Sequence, residues 1–372
     1  MHHNHNTELK AALVMGLTLL LGLAVAACAG RNGAPMNHAV PVEPAAIPRD
    51  LAAHEWAQLE WWYYTGHLQD ENGERYGFEL TFFRRRIEDD RIHGLPIGWV
   101  ARTAFIANFA LTEERTGKYW RAANFAVTPG NGGALFDRYQ VTLWDWSAHG
   151  DDQAHFLKAQ RGAYALELEL KPLKPPALHG RGGIVRKDEA ASSYYTSYTD
   201  MEAKGRLRFA GRELKVSGAA WFDHEWGNMG TVTSTGWDWF SLQLDDGAEY
   251  MIYAIHAPGG GYTRFSAACR IDQEGTEECI PLDNVTITPL AWWRSHRSRV
   301  VYPVGWRLAI PGWGLDVTVF AILPDQEFSF LNLFYWEGSC LVLGKPASGR
   351  AYVELSAYKK NWIYSLHNGE PE

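Results

Sequence analysis

The sequence predicts an all-β protein, with two similar antiparallel β domains in tandem, each a barrel or a sandwich. Three observations carry this. Apolar and polar residues alternate with period two: Tyr76, Phe78, Leu80 and Phe82 against Gly77, Glu79, Thr81 and Phe83, then Leu166, Leu168 and Leu170 against Glu167 and Glu169, then Val317 and Val319 against Asp316 and Thr318. That is the side-chain period of a strand with one face in a core. Turn signals separate the runs, among them Glu71-Asn72-Gly73, Pro129-Gly130-Asn131-Gly132-Gly133, Asp245-Asp246-Gly247 and Pro311-Gly312, and many short strands with regular turns indicate barrels or sandwiches. Finally, Leu68 to Tyr76 echoes Leu242 to Tyr250, and each follows a tryptophan-rich strand, Glu60-Trp61-Trp62-Tyr63-Tyr64 or Trp237-Asp238-Trp239-Phe240. The match is short, and two unrelated hairpins would also produce it. The 372 residues leave room for two domains.

From the N-terminus, Lys10 precedes an apolar run from Ala11 to Ala26, which leads to Val25-Ala26-Ala27-Cys28. A basic residue, a short apolar core and small residues make a secretory signal rather than a spanning helix. Val-Ala-Ala-Cys resembles a bacterial lipobox, which implies cleavage before Cys28 and lipidation of that residue. Ala29 and Gly30, with no aspartate after the cysteine, point to export and an outer-membrane lipoprotein facing the periplasm; plain secretion or a retained anchor is the alternative. Residues 1–28 are then the signal peptide, and 29–47, rich in Pro, Ala and Gly, a tether. Residues 48–230 make the first domain and 231–372 the second. Leu173 to Gly183 reads as a loop.

A net charge of −8 and 21% charged residues give no footprint for nucleic acid. Arg84-Arg85-Arg86 falls on a strand, which splits it between faces and suggests a solvated edge. Seventeen tryptophans and seventeen tyrosines suit the wall of a cavity for a lipophilic small molecule, as well as an ordinary core. Outside the cytoplasm, Cys269 and Cys279 can pair: a three-residue loop Gln273-Glu274-Gly275 sets them opposite each other on a hairpin. Two reduced thiols are the alternative. Cys340 reads as a buried thiol. The sequence has no Gly-x-Ser-x-Gly elbow, His-Glu-x-x-His, phosphate loop or dinucleotide fingerprint, so no cofactor and no metal is expected.

The richest chemistry lies in Gly218-Ala219-Ala220-Trp221-Phe222-Asp223-His224-Glu225-Trp226-Gly227. On a strand, His224 and Trp226 share one face, and Asp223 and Glu225 share the other. A histidine among indoles can exchange protons near neutrality. The plainer reading is a buried core histidine with the two acids at a solvated rim.

Glu60-Trp61-Trp62-Tyr63-Tyr64-Thr65-Gly66-His67-Leu68, the Asp-His-Glu-Trp stretch, Trp237-Asp238-Trp239-Phe240, Tyr335-Trp336-Glu337-Gly338 and Ala351-Tyr352-Val353-Glu354-Leu355 together resemble the AttH-like and carotenoid 1,2-hydratase family, over roughly residues 48 to 362. The resemblance implies two tandem lipocalin-like antiparallel β-barrel domains. Members are often labelled secreted hydrolases, and the characterised kinds include hydratases of isoprenoid double bonds and cyclases of polyketide-like substrates. His224 and Trp226 match the histidine and tryptophan that such hydratases use. Their Tyr-x-Asp is met here by Tyr253-Ala254-Ile255, which keeps the tyrosine and lacks the acid. Asn108 stands where the family pattern expects a histidine.

The sequence therefore suggests an enzyme that acts on an isoprenoid, fatty or polyketide-like substrate by hydration, isomerisation or cyclisation. His224, Trp226, Tyr253 and Asp238 are the candidate catalytic residues. Glu60, Trp62, Tyr64 and Trp239 are the candidate substrate-binding ones. The alternative is a carrier that holds an apolar ligand without chemistry.

Overall fold

Alternation of apolar and polar side chains along the strands curls the chain into two antiparallel sheets in a computed structural model. The structure describes residues 43–87, 91–92, 95–96, 101–230, 232–330 and 333–358. The signal segment, Cys28 and residues 29–42 lie outside them. The first sheet has thirteen strands, from Leu59–Asp70 to Arg212–Gly227, and the second has ten, from Trp237–Leu244 to Gly349–Leu355. The first is nearly a closed barrel and the second a half-barrel. A single helical turn, Val232–Thr235, lies between them.

Each sheet buries its own inward row. Trp62, Tyr64, Phe78, Leu80, Phe82, Phe109 and Phe222 fill the first interior. Phe240, Tyr250, Trp306, Val319 and Trp336 fill the second. A third cluster, including Tyr63, Tyr195, Trp221, Trp239, Met251 and Tyr352, draws on both sheets. The sheets therefore meet through their outward rows, back to back. Here the polar face of the alternating pattern departs from a solvated surface: Glu79 and Thr81 are buried. The second sheet covers them. Tyr63 donates to Glu337, the Asn108 amide donates to Tyr335 (2.5 Å) and Thr112 donates to Gln326 (2.9 Å). The approach is close enough to require a glycine, because a Cβ at Gly77 would lie 2.8 Å from Ser339 Cβ.

Arg84 is buried rather than solvated; it donates to the carbonyl of His54 (2.9 Å) and to Glu60 (3.4 Å). The 173–183 segment carries a short strand, Ala177–Leu178, paired with Ser192–Phe209. The 269–279 hairpin turns with Gly275 at φ +85°, sets Cys269 opposite Cys279 and links them by a disulfide. Cys340 is buried and reduced.

Candidate active site

The long strand Arg212–Gly227 lies between Leu59–Asp70 and Ser192–Phe209. Its two faces open onto different places. Phe222, His224 and Trp226 point into the first barrel, opposite Tyr64, Trp62 and Glu60 in register. His224 Nε2 meets Glu60 Oε1 at 3.0 Å, and the same oxygen meets His54 Nδ1 at 2.8 Å. The His224 ring lies between Trp62 (centroids 4.9 Å) and Trp226 (4.5 Å), while His54 stacks on Trp226 at 4.2 Å. Burial opposes charge here, but the two imidazoles hold the Glu60 carboxyl down at about 2. His54 is also dehydrated, yet Asp50 and Glu60 outweigh that and raise it; His224 is deeper, and burial lowers it. The pair is thus split, with His54 shifted toward the charged form and the fully buried His224 toward the neutral one. Tyr64 belongs to a neighbouring interior group, bonded to Tyr139 and to His155 Nδ1 (2.8 Å).

The sequence candidates fall in three places. His224, Trp226, Glu60, Trp62 and Tyr64 line the first interior. Trp239 and Tyr253 lie on the outward face, between the sheets. Asp238 faces the other way on its strand and accepts from Tyr262 and Tyr358 (2.8 Å each), with His256 Nε2 at 2.9 Å. No single cavity gathers all eight, because one strand cannot turn successive side chains to one face.

The outward face of Arg212–Gly227 holds what sequence reasoning passed over. Asp223 and Glu225 are buried, not at a rim. Asp223 accepts from Ser197 (2.5 Å), Trp221 (2.6 Å) and Tyr195 (2.6 Å); Glu225 pairs with Lys187 (2.6 Å) and accepts from Ser193 (2.5 Å). Glu79 from the first sheet and Glu337 and Glu354 from the second continue this seam. Five carboxyls therefore converge between the sheets among aromatic rings. Burial raises Glu79 to about 8, with Glu354 adding to it; burial raises Glu354 to about 7, with Asp223 and Glu225 adding; burial and then Glu79 and Glu354 push Glu337 well up. Burial also lifts Asp223 to about 6 against its three donors. The seam holds buried polar atoms without a partner: Glu79 Oε2, Asn108 Oδ1 and Tyr119 OH. Such atoms are costly to bury. The signal for this site was present in the sequence, since Glu337 and Glu354 lie inside two of the quoted motifs.

A cleft of about 450 Å³ opens where the sheets meet, walled by Tyr119, Trp120, Tyr164 and Phe209 on one side and Arg297 and Leu323 on the other. Tyr119 belongs to both places: it lines the cleft, and its hydroxyl is raised by burial and then by Glu79. The volume suits a small molecule, with aromatic rings on one wall and Lys118, Arg297 and Asp325 as charged groups in the lining. Two groups have metal-ligand types at short range. In His54, Glu60 and His224 the carboxylate already serves two imidazoles and Arg84, and in His179, Cys269 and Glu277 the sulfur is spent in the disulfide.

The AttH-like family pattern matches residues 38–358. The chain belongs to the AttH-like family. A crystal structure from Nitrosomonas europaea, assigned to AttH, superposes with a TM-score of 0.76 at 28% identity, over 86% of this chain and 99% of that one. The crystal structure of kievitone hydratase from Nectria haematococca shares the fold, with a TM-score of 0.68 at 17% identity, over 89% of this chain and 96% of that one. In sequence, the kievitone hydratase of Fusarium solani subsp. phaseoli is 27% identical over 127 residues. That stretch is 32% of this chain and spans about a third (33%) of that relative's length. These likenesses agree with the lipocalin-like, tandem antiparallel architecture of the AttH-like chain.

Proposed function

We propose that this AttH-like protein performs hydratase- or cyclase-type acid/base chemistry on a lipophilic substrate that enters by the Tyr119 cleft. The observation that supports this best is the convergence of Glu79, Glu337, Glu354, Asp223 and Glu225 in a buried aromatic seam beside that cleft. Protonating a carbon–carbon double bond needs a neutral acid shielded from water. A carboxyl held protonated at neutral pH gives its proton to one alkene carbon and becomes a carboxylate. The cation left on the other carbon faces tyrosine and tryptophan rings, which stabilise positive charge. Water, or an oxygen of the substrate, then bonds to the cation and loses a proton to the carboxylate, which restores the acid. His224 and Trp226 brace the strand that carries Asp223 and Glu225, from the other side. A carrier needs only the aromatic wall and no buried row of acids.

The name of the kievitone hydratases suggests the first substrate to try. The purified protein is incubated with kievitone and with a panel of isoprenoid alkenes in ¹⁸O-water, and products are sought by mass spectrometry. A product carrying one labelled water, or an isomer of the substrate from ring closure, is the expected result. No product from any substrate, together with an unaltered apolar ligand extracted from native protein, would overturn the proposal in favour of a carrier. We include in this reading a lipid anchor at Cys28 on the periplasmic side of the outer membrane, which Val25-Ala26-Ala27-Cys28 supports.

A further inference from the structure

Beside the acid seam, a second set of groups crosses from one sheet to the other. His179 follows the short Ala177–Leu178 strand and is fully buried. Its Nε2 is 2.6 Å from Ser197 Oγ, and its Nδ1 is hydrogen-bonded to Glu277 Oε1. Ser197 Oγ in turn donates to Asp223 Oδ1 at 2.5 Å. Glu277 comes from the other sheet, on strand Glu277–Pro281, and 15% of its side chain is exposed. The disulfide between Cys269 and Cys279 fastens this strand to its hairpin partner, two residues beyond Glu277. The four groups thus form an unbroken hydrogen-bonded line from a solvent-touching carboxyl to a buried one.

Serine, histidine and a carboxylate in this order also resemble a nucleophile, its base and an orienting acid. The geometry at Ser197 speaks against that use. A hydroxyl has one proton, and here it is directed to Asp223, so Ser197 can only accept from His179. Ser197 is also 1% exposed and lies mid-strand, not on a turn that presents it to a substrate.

We infer that Glu277, His179 and Ser197 are a proton relay that recharges Asp223 from solvent, and through it the acid seam. The step moves one proton and nothing else. The Glu277 carboxyl gives its proton to His179 Nδ1; His179 Nε2 gives its own to Ser197 Oγ; Ser197 passes its original hydroxyl proton to Asp223 Oδ1. Glu277 ends as a carboxylate, and water at its exposed edge reprotonates it. Asp223 can use such a supply, since it titrates at about 6, raised by burial against its hydrogen-bond donors. Trp221, Tyr195 and Ser197 bond to Asp223, the nearby His179 imidazole lowers it, and Glu354 lies close enough along the seam to be raised by Asp223 and Glu225. The use of the relayed proton in chemistry rests on the function proposed above; the relay itself does not.

The test therefore needs no substrate. Time-resolved infrared spectroscopy follows a rapid drop in pH through 6, and the carboxyl stretch that Asp223→Asn removes reports protonation of Asp223. Ser197→Ala deletes one atom, and His179→Gly opens a space that added imidazole can fill. Both are expected to slow the appearance of this band on the order of 10²-fold, the scale of a lost acid–base partner. Ser197→Thr is expected to keep the wild-type rate, and imidazole to restore it in His179→Gly. A wild-type rate in both Ser197→Ala and His179→Gly overturns the relay, whatever the turnover. Labelling of Ser197 by a fluorophosphonate overturns it too, in favour of a nucleophile. Slowed protonation in these variants, with no turnover by any protein, would strike the assigned chemistry and uphold the relay.

Discussion

Glu79→Gln isolates one proton of the seam. Glu79 is buried, with Oε1 accepting from Thr81 (2.9 Å) and Oε2 unpaired. Burial, with Glu354 adding to it, moves its carboxyl from the ordinary 4.5 up to about 8. Between those values the folded protein holds a proton that the unfolded chain has lost. The sign follows: this proton's contribution to stability is complete below about 4.5 and fades as pH rises through about 8. While only the folded state is protonated, stability falls by about 1.4 kcal/mol per pH unit for this group. Unfolding near pH 6.5 should therefore release about one proton more from wild type than from Glu79→Gln, and the difference should vanish below about pH 4. Calorimetry in buffers of different ionisation enthalpy counts these protons directly. Equal release from the two proteins near pH 6.5 would refute the neutral-acid reading of Glu79 and remove the basis for a proton donor there.

Other expectations follow from the same geometry. His224→Gln should lower the melting temperature, at a cost of about 1–3 kcal/mol for the lost charged hydrogen bond to Glu60, and leave proton release from the seam unchanged; a normal melting temperature would count against a bracing role. Cys279→Ser opens a cross-link between positions separated by 10 in sequence, so denaturation should show a loss of at most about 3 kcal/mol, and a larger loss would mean that the hairpin does more than close a short loop. Cys28→Ser should move the protein out of the membrane fraction of its host or leave an uncleaved precursor, whereas wild-type protein without acyl mass would sink the anchor.

The strands were legible because one face of each is apolar, as Tyr76, Phe78, Leu80 and Phe82 show. What covers the other face was not. Glu79 has the same spacing whether water or a second sheet lies above it, so periodicity alone could not tell a solvated acid from a buried one. Asp223 and Glu225 looked like a rim for the same reason. His224 was found as a residue in an aromatic setting, but its partners His54 and Arg84 come from a preceding turn and a neighbouring strand, which no local spacing reveals. The Cys269–Cys279 register was legible because a three-residue loop fixes pairing within a few positions. The Glu277–His179–Ser197–Asp223 line was invisible, since its members are brought together only when the two sheets dock.

Meeting through outward rows has a consequence for how such a protein can change. Each half has an apolar interior of its own, distinct from the cluster on the shared surface. Substitutions there can alter which molecules are accepted or transformed while the two interiors stay untouched. The seam is in effect a panel of exchangeable positions mounted on two finished scaffolds. New chemistry in such an architecture need not wait for compensating changes in either interior, because the residues that would supply it and the residues that fill the interiors alternate along the same strands and face opposite ways.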